Sequence, residues 1–212
     1  MTDKVFWRDP YLRHLDTRVA RVDGANVTLE ETIFFALSGG QESDHGTIGG
    51  HPVHQAAKQG RDIIYSLDSG HGLKPQDPVR VEIDWDRRYR LMRLHFAAEI
   101  ILELVYAAFP GIKKIGAHIA ADKARIDFVF DENISAHFPA LARDANAIIK
   151  ADRTITSAFS DEANERRYWK IDDFEAVPCG GTHLKSTGEI GRVSLKRKNI
   201  GKGKERIEIR VA

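Results

Sequence analysis

Residues 90–106 (RLMRLHFAAEIILELVY) are apolar almost all the way round when wound at about 3.6 residues per turn. That pattern demands a helix covered on nearly every side, so the rest of the chain must supply layers around it. The exceptions carry information. His95, Glu99 and Glu103 recur every fourth residue and form one polar stripe on an otherwise greasy cylinder. Burying an imidazole and a carboxylate is costly unless a partner satisfies them, and a metal ion would do so for the first two. Matching donors come later in the chain, where Cys179 and His183 again have three residues between them. An imidazole, a carboxylate, a thiolate and an imidazole make an N/O/S set that Zn2+ accepts. The expected metal ligands are therefore His95, Glu99, Cys179 and His183, holding one zinc per chain.

Cys179 is the only cysteine, so no intrachain disulfide can form, which suits a reducing cytoplasm and leaves the thiol free for metal. The first ten residues have neither a basic start nor an apolar core, so no signal peptide is expected there. The apolar helix is broken by Glu99 and Glu103 and is too short to span a bilayer, so no membrane partner is expected. A net charge of +1 argues against a chain that is one large polyanion-binding surface, but leaves room for a local basic patch. Residues 185–212 supply one, with nine Lys or Arg against three Asp or Glu.

Along the chain, residues 17–22, 26–29 and 79–84 alternate at period two and read as strands, with Asp23 and Gly24 as a hairpin turn. The pattern switches to helical over residues 84–90, which places a boundary between a first domain, 1–86, and a second, 87–212. Phe109, Pro110 and Gly111 stop the helix. Residues 124–130 read as a strand, and Pro139 opens a helix expected to reach Arg153. A further helix is expected over 161–169, capped by Ser160. Residues 190–198 and 205–211 form a hairpin that puts Arg192, Lys196 and Lys198 on one face and Val193 and Leu195 on the other.

The run Cys179-Gly180-Gly181-Thr182-His183, followed by Ser186-Thr187-Gly188-Glu189-Ile190-Gly191, resembles the C-terminal signature of the alanyl-tRNA synthetase editing domain and its free-standing relatives. That family hydrolyses mischarged alanine tRNA. It carries His-x-x-x-His on a helix and Cys-x-x-x-His later, which map onto His95/Glu99 and Cys179/His183. Glu99 stands where the family usually has its second histidine. Gly39, Gly40, Gln41, Asp44 and Gly46 resemble the family's glycine-rich loop, although Ala36, Leu37 and Ser38 replace its usual Pro-Glu-Gly.

The resemblance implies an α+β chain, with a small N-terminal β-barrel domain carrying the glycine-rich loop, followed by an α/β-layered zinc-dependent editing domain. It implies a deacylase acting on mischarged tRNA, seryl- and also glycyl-tRNA, with no expected need for ATP and an open oligomeric state. Gly39, Gly40, Gln41 and Asp127 then become substrate-binding candidates, with Lys196 and Lys198 touching the tRNA backbone.

An aminoacyl-tRNA is an ester, so a zinc ion would either polarise water or grip the substrate while an ordered water attacks. Glu99 is either the fourth ligand or the general base, and Thr182 offers a hydroxyl or an amide to the substrate or serves its own turn. The competing reading is a tRNA-binding module with a closed, structural zinc and no turnover. A third is a zinc hydrolase turned to a small ester. His51 and His54 lack a cysteine or acidic partner at comparable spacing, and His118 reads as a hydrogen-bonded core histidine.

Overall fold

The computed structural model describes residues 1–172 and 174–212, which fall into two compact units: residues 1–38 with 42–89, and residues 39–41 with 90–212. The fold is mixed α/β. In the first unit seven strands form one sheet: β1 (His14–Asp23), β2 (Asn26–Leu29), β3 (Gly46–Ile48), β4 (His51–Pro52), β5 (Gln55–Gln59), β6 (Asp62–Ser66) and β7 (Pro78–Ile83). Their order is β4-β3-β7-β1-β2-β6-β5. The two edge strands are separated in the chain by only Val53 and His54, so the sheet curls back toward itself as a half-barrel. The period-two pattern is borne out: Val79, Val81 and Ile83 are buried while the residues between them are exposed. Asp23 and Asn26 pair across the turn at Gly24.

Asp44, matched to the glycine-rich loop, serves this unit as a buried ion-pair partner. Arg88 has no exposed surface, donates from Nε to Asp44 Oδ1 at 2.8 Å and from Nη2 to Oδ2, and spends its other contacts on the Pro10 and Ile33 carbonyls. Phe35 N–H donates to Asp44 Oδ2 at 2.7 Å. A buried pair is tolerated when the remaining lone pairs and protons are also satisfied, as they are here.

The long helix α1 spans Trp85–Ala108, and Leu91, Met92, Leu94, Phe96, Ile100, Ile101 and Val105 on it are buried. Among the described residues, no helix is long and apolar enough to cross a membrane. In the second unit β8 (Lys113–Ile119), β9 (Ala124–Val129), β13 (Val193–Asn199) and β14 (Lys204–Val211) form an antiparallel sheet ordered β8-β9-β14-β13. One face buries Ala124, Ile126, Phe128, Ile207 and Ile209. Helix α2 (Phe138–Lys150) lies on β13, fastened where Asn146 exchanges two hydrogen bonds with the Val193 backbone at 2.9 and 3.0 Å.

One expected element is wrong. Residues 161–169 are not a helix; β10 (Thr156–Asp161) and β11 (Arg166–Lys170) form a hairpin, extended by β12 (Val177–Pro178). The helix-forming composition around Glu162 loses to two other effects. Asp161 accepts from the Asn164 backbone and amide and so makes a turn, with Glu165 at φ 54°. Trp169 is fully buried, its ring edge-on to Phe96 of α1 at 4.9 Å.

Candidate metal centre

Helix α1 places His95 and Glu99 one turn apart, with His95 Nε2 3.5 Å from Glu99 Oε1. The other two candidate ligands come from the loop after β12, whose first residue is still tied to the hairpin: Cys179 N–H donates to the Arg167 carbonyl at 2.9 Å. Gly181 lets this loop approach the helix, since a Cβ there would lie 2.2 Å from His95 Cε1. The result is that both imidazoles aim Nε2 at one sulfur. Cys179 Sγ is 3.2 Å from His95 Nε2 and 3.3 Å from His183 Nε2.

His95, Cys179 and His183 are the one group of potential metal donors among the described residues whose atoms all lie within 4.8 Å of one another. Glu99 stands at the edge of that trio. Its Oε1 is 3.7 Å from Cys179 Sγ, and its Oε2 accepts the Trp169 indole N–H at 3.0 Å. Tetrahedral zinc bonds of the usual lengths give donor-to-donor edges of about 3.3 to 3.6 Å, close to these separations. The far nitrogens are also engaged, His95 Nδ1 with Gln41 Oε1 and His183 Nδ1 with Ser157 Oγ, each at 2.7 Å. Imidazoles that bind metals are oriented in this manner.

The electrostatics favour a cation in this pocket. Burial opposes a charge on His95, but the Cys179 sulfur and Glu99 beside it prevail and raise its pKa. Burial likewise favours a neutral Glu99, yet His95, the Trp169 indole and His183 hold its carboxyl well below the usual carboxylate range. His183 is pushed well below its ordinary value by burial, then by the His95 and Arg167 charges. A divalent ion held at His95 Nε2 would lie beside the same Cys179 sulfur and Glu99 carboxyl.

The remaining candidates lie in different places. Gln41 and Thr182 are buried beside His95, with Gln41 Nε2 donating to Thr182 Oγ1 at 2.9 Å. Gly40 accepts from Ile119 N–H at 2.8 Å and leaves no room for a Cβ, which would fall 2.8 Å from the Ala117 carbonyl; Gly39 is exposed next to it. Asp127 sits on the polar face of the four-stranded sheet with both oxygens taken by Arg206, at 2.6 and 2.9 Å, and a further contact from Arg125. Lys196 and Lys198 are exposed opposite Glu208 and Arg206. His54 Nε2 is paired with Asp68 at 2.8 Å.

Sequence reasoning missed Ser157, Trp169 and Arg167, whose Nη1 donates to the Gly181 carbonyl at 3.2 Å. All three lie on the hairpin. Alternation over 166–170 was the available signal for its second strand, whereas nothing local marks Ser157.

The family model described as the threonyl and alanyl tRNA synthetase second additional domain matches residues 167–208. An alanyl-tRNA editing protein AlaX-M of Pyrococcus horikoshii is 32% identical over 213 residues, covering 99% of this chain and 97% of its own. The protein of the same name from Methanosarcina barkeri is 32% identical over 238 residues, with 98% of each covered. An alanine–tRNA ligase of Pyrococcus abyssi is 31% identical over 231 residues, which take in 97% of this chain and 25% of the ligase.

Proposed function

Since the chain belongs to the alanyl-tRNA editing proteins, we propose that it hydrolyses the ester of mischarged alanine tRNA, seryl-tRNA foremost and glycyl-tRNA with it. Of the glycine-rich loop, Asp44 and Gly46 belong to the half-barrel unit, whereas Gly39, Gly40 and Gln41 group with residues 90–212; residues 87–212 form the editing domain. The protein works in the cytoplasm. The observation that supports the reading best is the convergence of His95 and His183 on Cys179, with the Glu99 carboxyl at the edge of the trio.

The donors suit zinc: two neutral imidazole nitrogens turned inward, a thiol that can ionise, and a carboxylate to spare. Bound there, zinc supplies Lewis acidity to the ester carbonyl or to water. The chain's own groups do the rest. Ser157 and Gln41 keep the far nitrogens of the two histidines occupied. Glu99, steadied by Trp169, accepts the proton of the attacking water. Thr182 is held against the helix by Gln41 and lines the same side.

Purified full-length protein is expected to hold about one zinc per chain. It should deacylate seryl- and glycyl-tRNA while sparing alanyl-tRNA. Absence of metal after purification without chelator would remove the zinc. A zinc-loaded protein that binds tRNA and turns nothing over would be the closed-zinc binding module instead.

The polar face of the four-stranded sheet suits a phosphate backbone. Asp127 is neutralised by arginines and Glu208 by Lys123 at 2.9 Å, so Lys196, Lys198 and Arg210 remain as excess positive charge. Changing Lys196 and Lys198 to Gln should weaken tRNA binding and reduce the slope of log affinity against log salt by about 1.4 to 1.8, if both touch phosphates. An unchanged slope would assign both lysines to ordinary solvation.

A further inference from the structure

We propose that Gln41 is a positioning residue for the metal: its side-chain amide fixes which nitrogen of His95 carries the proton and therefore which one is free to bind an ion. This rests on reading His95, Cys179 and His183 as a metal centre, and it gives Gln41 a role other than gripping substrate.

Gln41 has no exposed surface, so its side chain offers a substrate nothing to touch. Its amide is clamped by Thr182 at both ends. Nε2 donates to Thr182 Oγ1 at 2.9 Å, and Oε1 accepts from Thr182 N–H at 3.3 Å. The backbone N–H can only donate, so the end of the amide facing it must be the oxygen. That same oxygen lies 2.7 Å from His95 Nδ1. A carbonyl oxygen only accepts, so Nδ1 carries the hydrogen, and Nε2 is left with its lone pair directed toward Cys179 Sγ at 3.2 Å.

The backbone on either side holds this arrangement in place. Gln41 bridges Ile119 of the edge strand β8 in parallel, and Gly40 takes the Ile119 N–H. On the opposite side a Cβ on Gly181 would fall 2.9 Å from Gln41 Oε1 and 2.8 Å from His95 Nδ1, so the loop closes over this hydrogen bond as tightly as a glycine permits. Ring plane, tautomer and lone-pair direction of His95 are thus set by a residue 54 positions earlier in the chain.

The test compares Gln41→Met and Gln41→Glu in the full chain. Zinc affinity is read by competition with a chromophoric chelator, and ligand geometry by the visible spectrum of the cobalt-loaded protein. Methionine keeps the bulk and loses the acceptor; it should weaken zinc binding roughly ten- to a hundredfold and alter the cobalt spectrum. Glutamate keeps an acceptor for Nδ1–H and should bring affinity back to within a few-fold of the parent. At saturating zinc the methionine variant should show an unchanged KM, because Gln41 acts through the ion. Parent-like zinc affinity with a raised KM would overturn the proposal and make Gln41 a substrate contact. If the methionine variant does not fold, Thr182→Val removes only the hydroxyl that helps orient the amide. It should lower zinc affinity in the same sense by a smaller factor, and no change would overturn the proposal. A parent protein that takes up neither zinc nor cobalt would overturn the metal reading and this inference with it. A parent that binds zinc tightly beside indifferent variants overturns this inference alone.

Discussion

Replacing Cys179 by alanine is expected to remove the metal and the deacylase activity together, with a rate loss of roughly two orders of magnitude or more. The reason is geometric. Cys179 Sγ is the point on which both imidazole nitrogens converge, at 3.2 and 3.3 Å, and it is the sole thiol in the chain. Without it the histidines face each other across an empty corner with Glu99 to one side. The first unit should be untouched, because Val19, Leu29, Phe34, Ile48, Tyr65 and Val81 form a buried core cluster of its own. Elemental analysis, deacylation of seryl-tRNA and circular dichroism on the same preparation check the three statements. Cys179→His serves as the control for local misfolding, since imidazole can replace thiolate as a ligand and should recover part of the zinc. A Cys179→Ala protein depleted of zinc yet hydrolysing at the parent rate would take the metal out of the mechanism.

The parts of this centre differ in how far they could be read from the sequence. His95 and Glu99 share a helix face because the apolar pattern of residues 90–106 fixes a helix, and helix geometry then dictates their spacing. Cys179 and His183 are legible as a pair but not as partners of the helix, because nothing local says that a loop after β12 returns to α1. Gln41 is recognisable within a glycine-rich run, but its hydrogen bond to His95 depends on the run pairing with Ile119, a tertiary event. The hairpin of β10 and β11 was misread because Glu162, Ala163, Glu165 and the arginines that follow have helical composition. Burial of Trp169 against Phe96 decided the matter from elsewhere in the fold. That error concealed Ser157 and Trp169, which support His183 and Glu99 from those two strands.

Glu99 is the position at which this chain leaves its family's pattern, and Glu99→Gln is expected to retain zinc while losing about two or more orders of magnitude in turnover. The trio of His95, Cys179 and His183 forms without Glu99, whose Oε1 approaches two of its donor atoms, at 3.5 and 3.7 Å. Its other oxygen is fixed by the Trp169 indole, so the carboxylate cannot swing freely. Its neighbours hold it ionised well below the usual carboxylate range, although burial pulls the other way. A carboxylate held that low is a weak base toward bulk water. Its value is to be charged at every working pH, and to orient the attacking water and take its proton. Glutamine keeps the size and an oxygen for Trp169, and loses the charge and the basicity. If Glu99 is instead a fourth ligand, its negative charge makes the zinc a poorer Lewis acid, and Glu99→His should then preserve or improve turnover. As the base, Glu99→His should hold zinc equally well and still lose the rate. Measuring zinc content and single-turnover hydrolysis of seryl-tRNA for both variants separates the two roles. A glutamine variant that keeps its zinc and hydrolyses at the parent rate would exclude both, leaving Glu99 as a buried neighbour of the centre whose charge the reaction does not use.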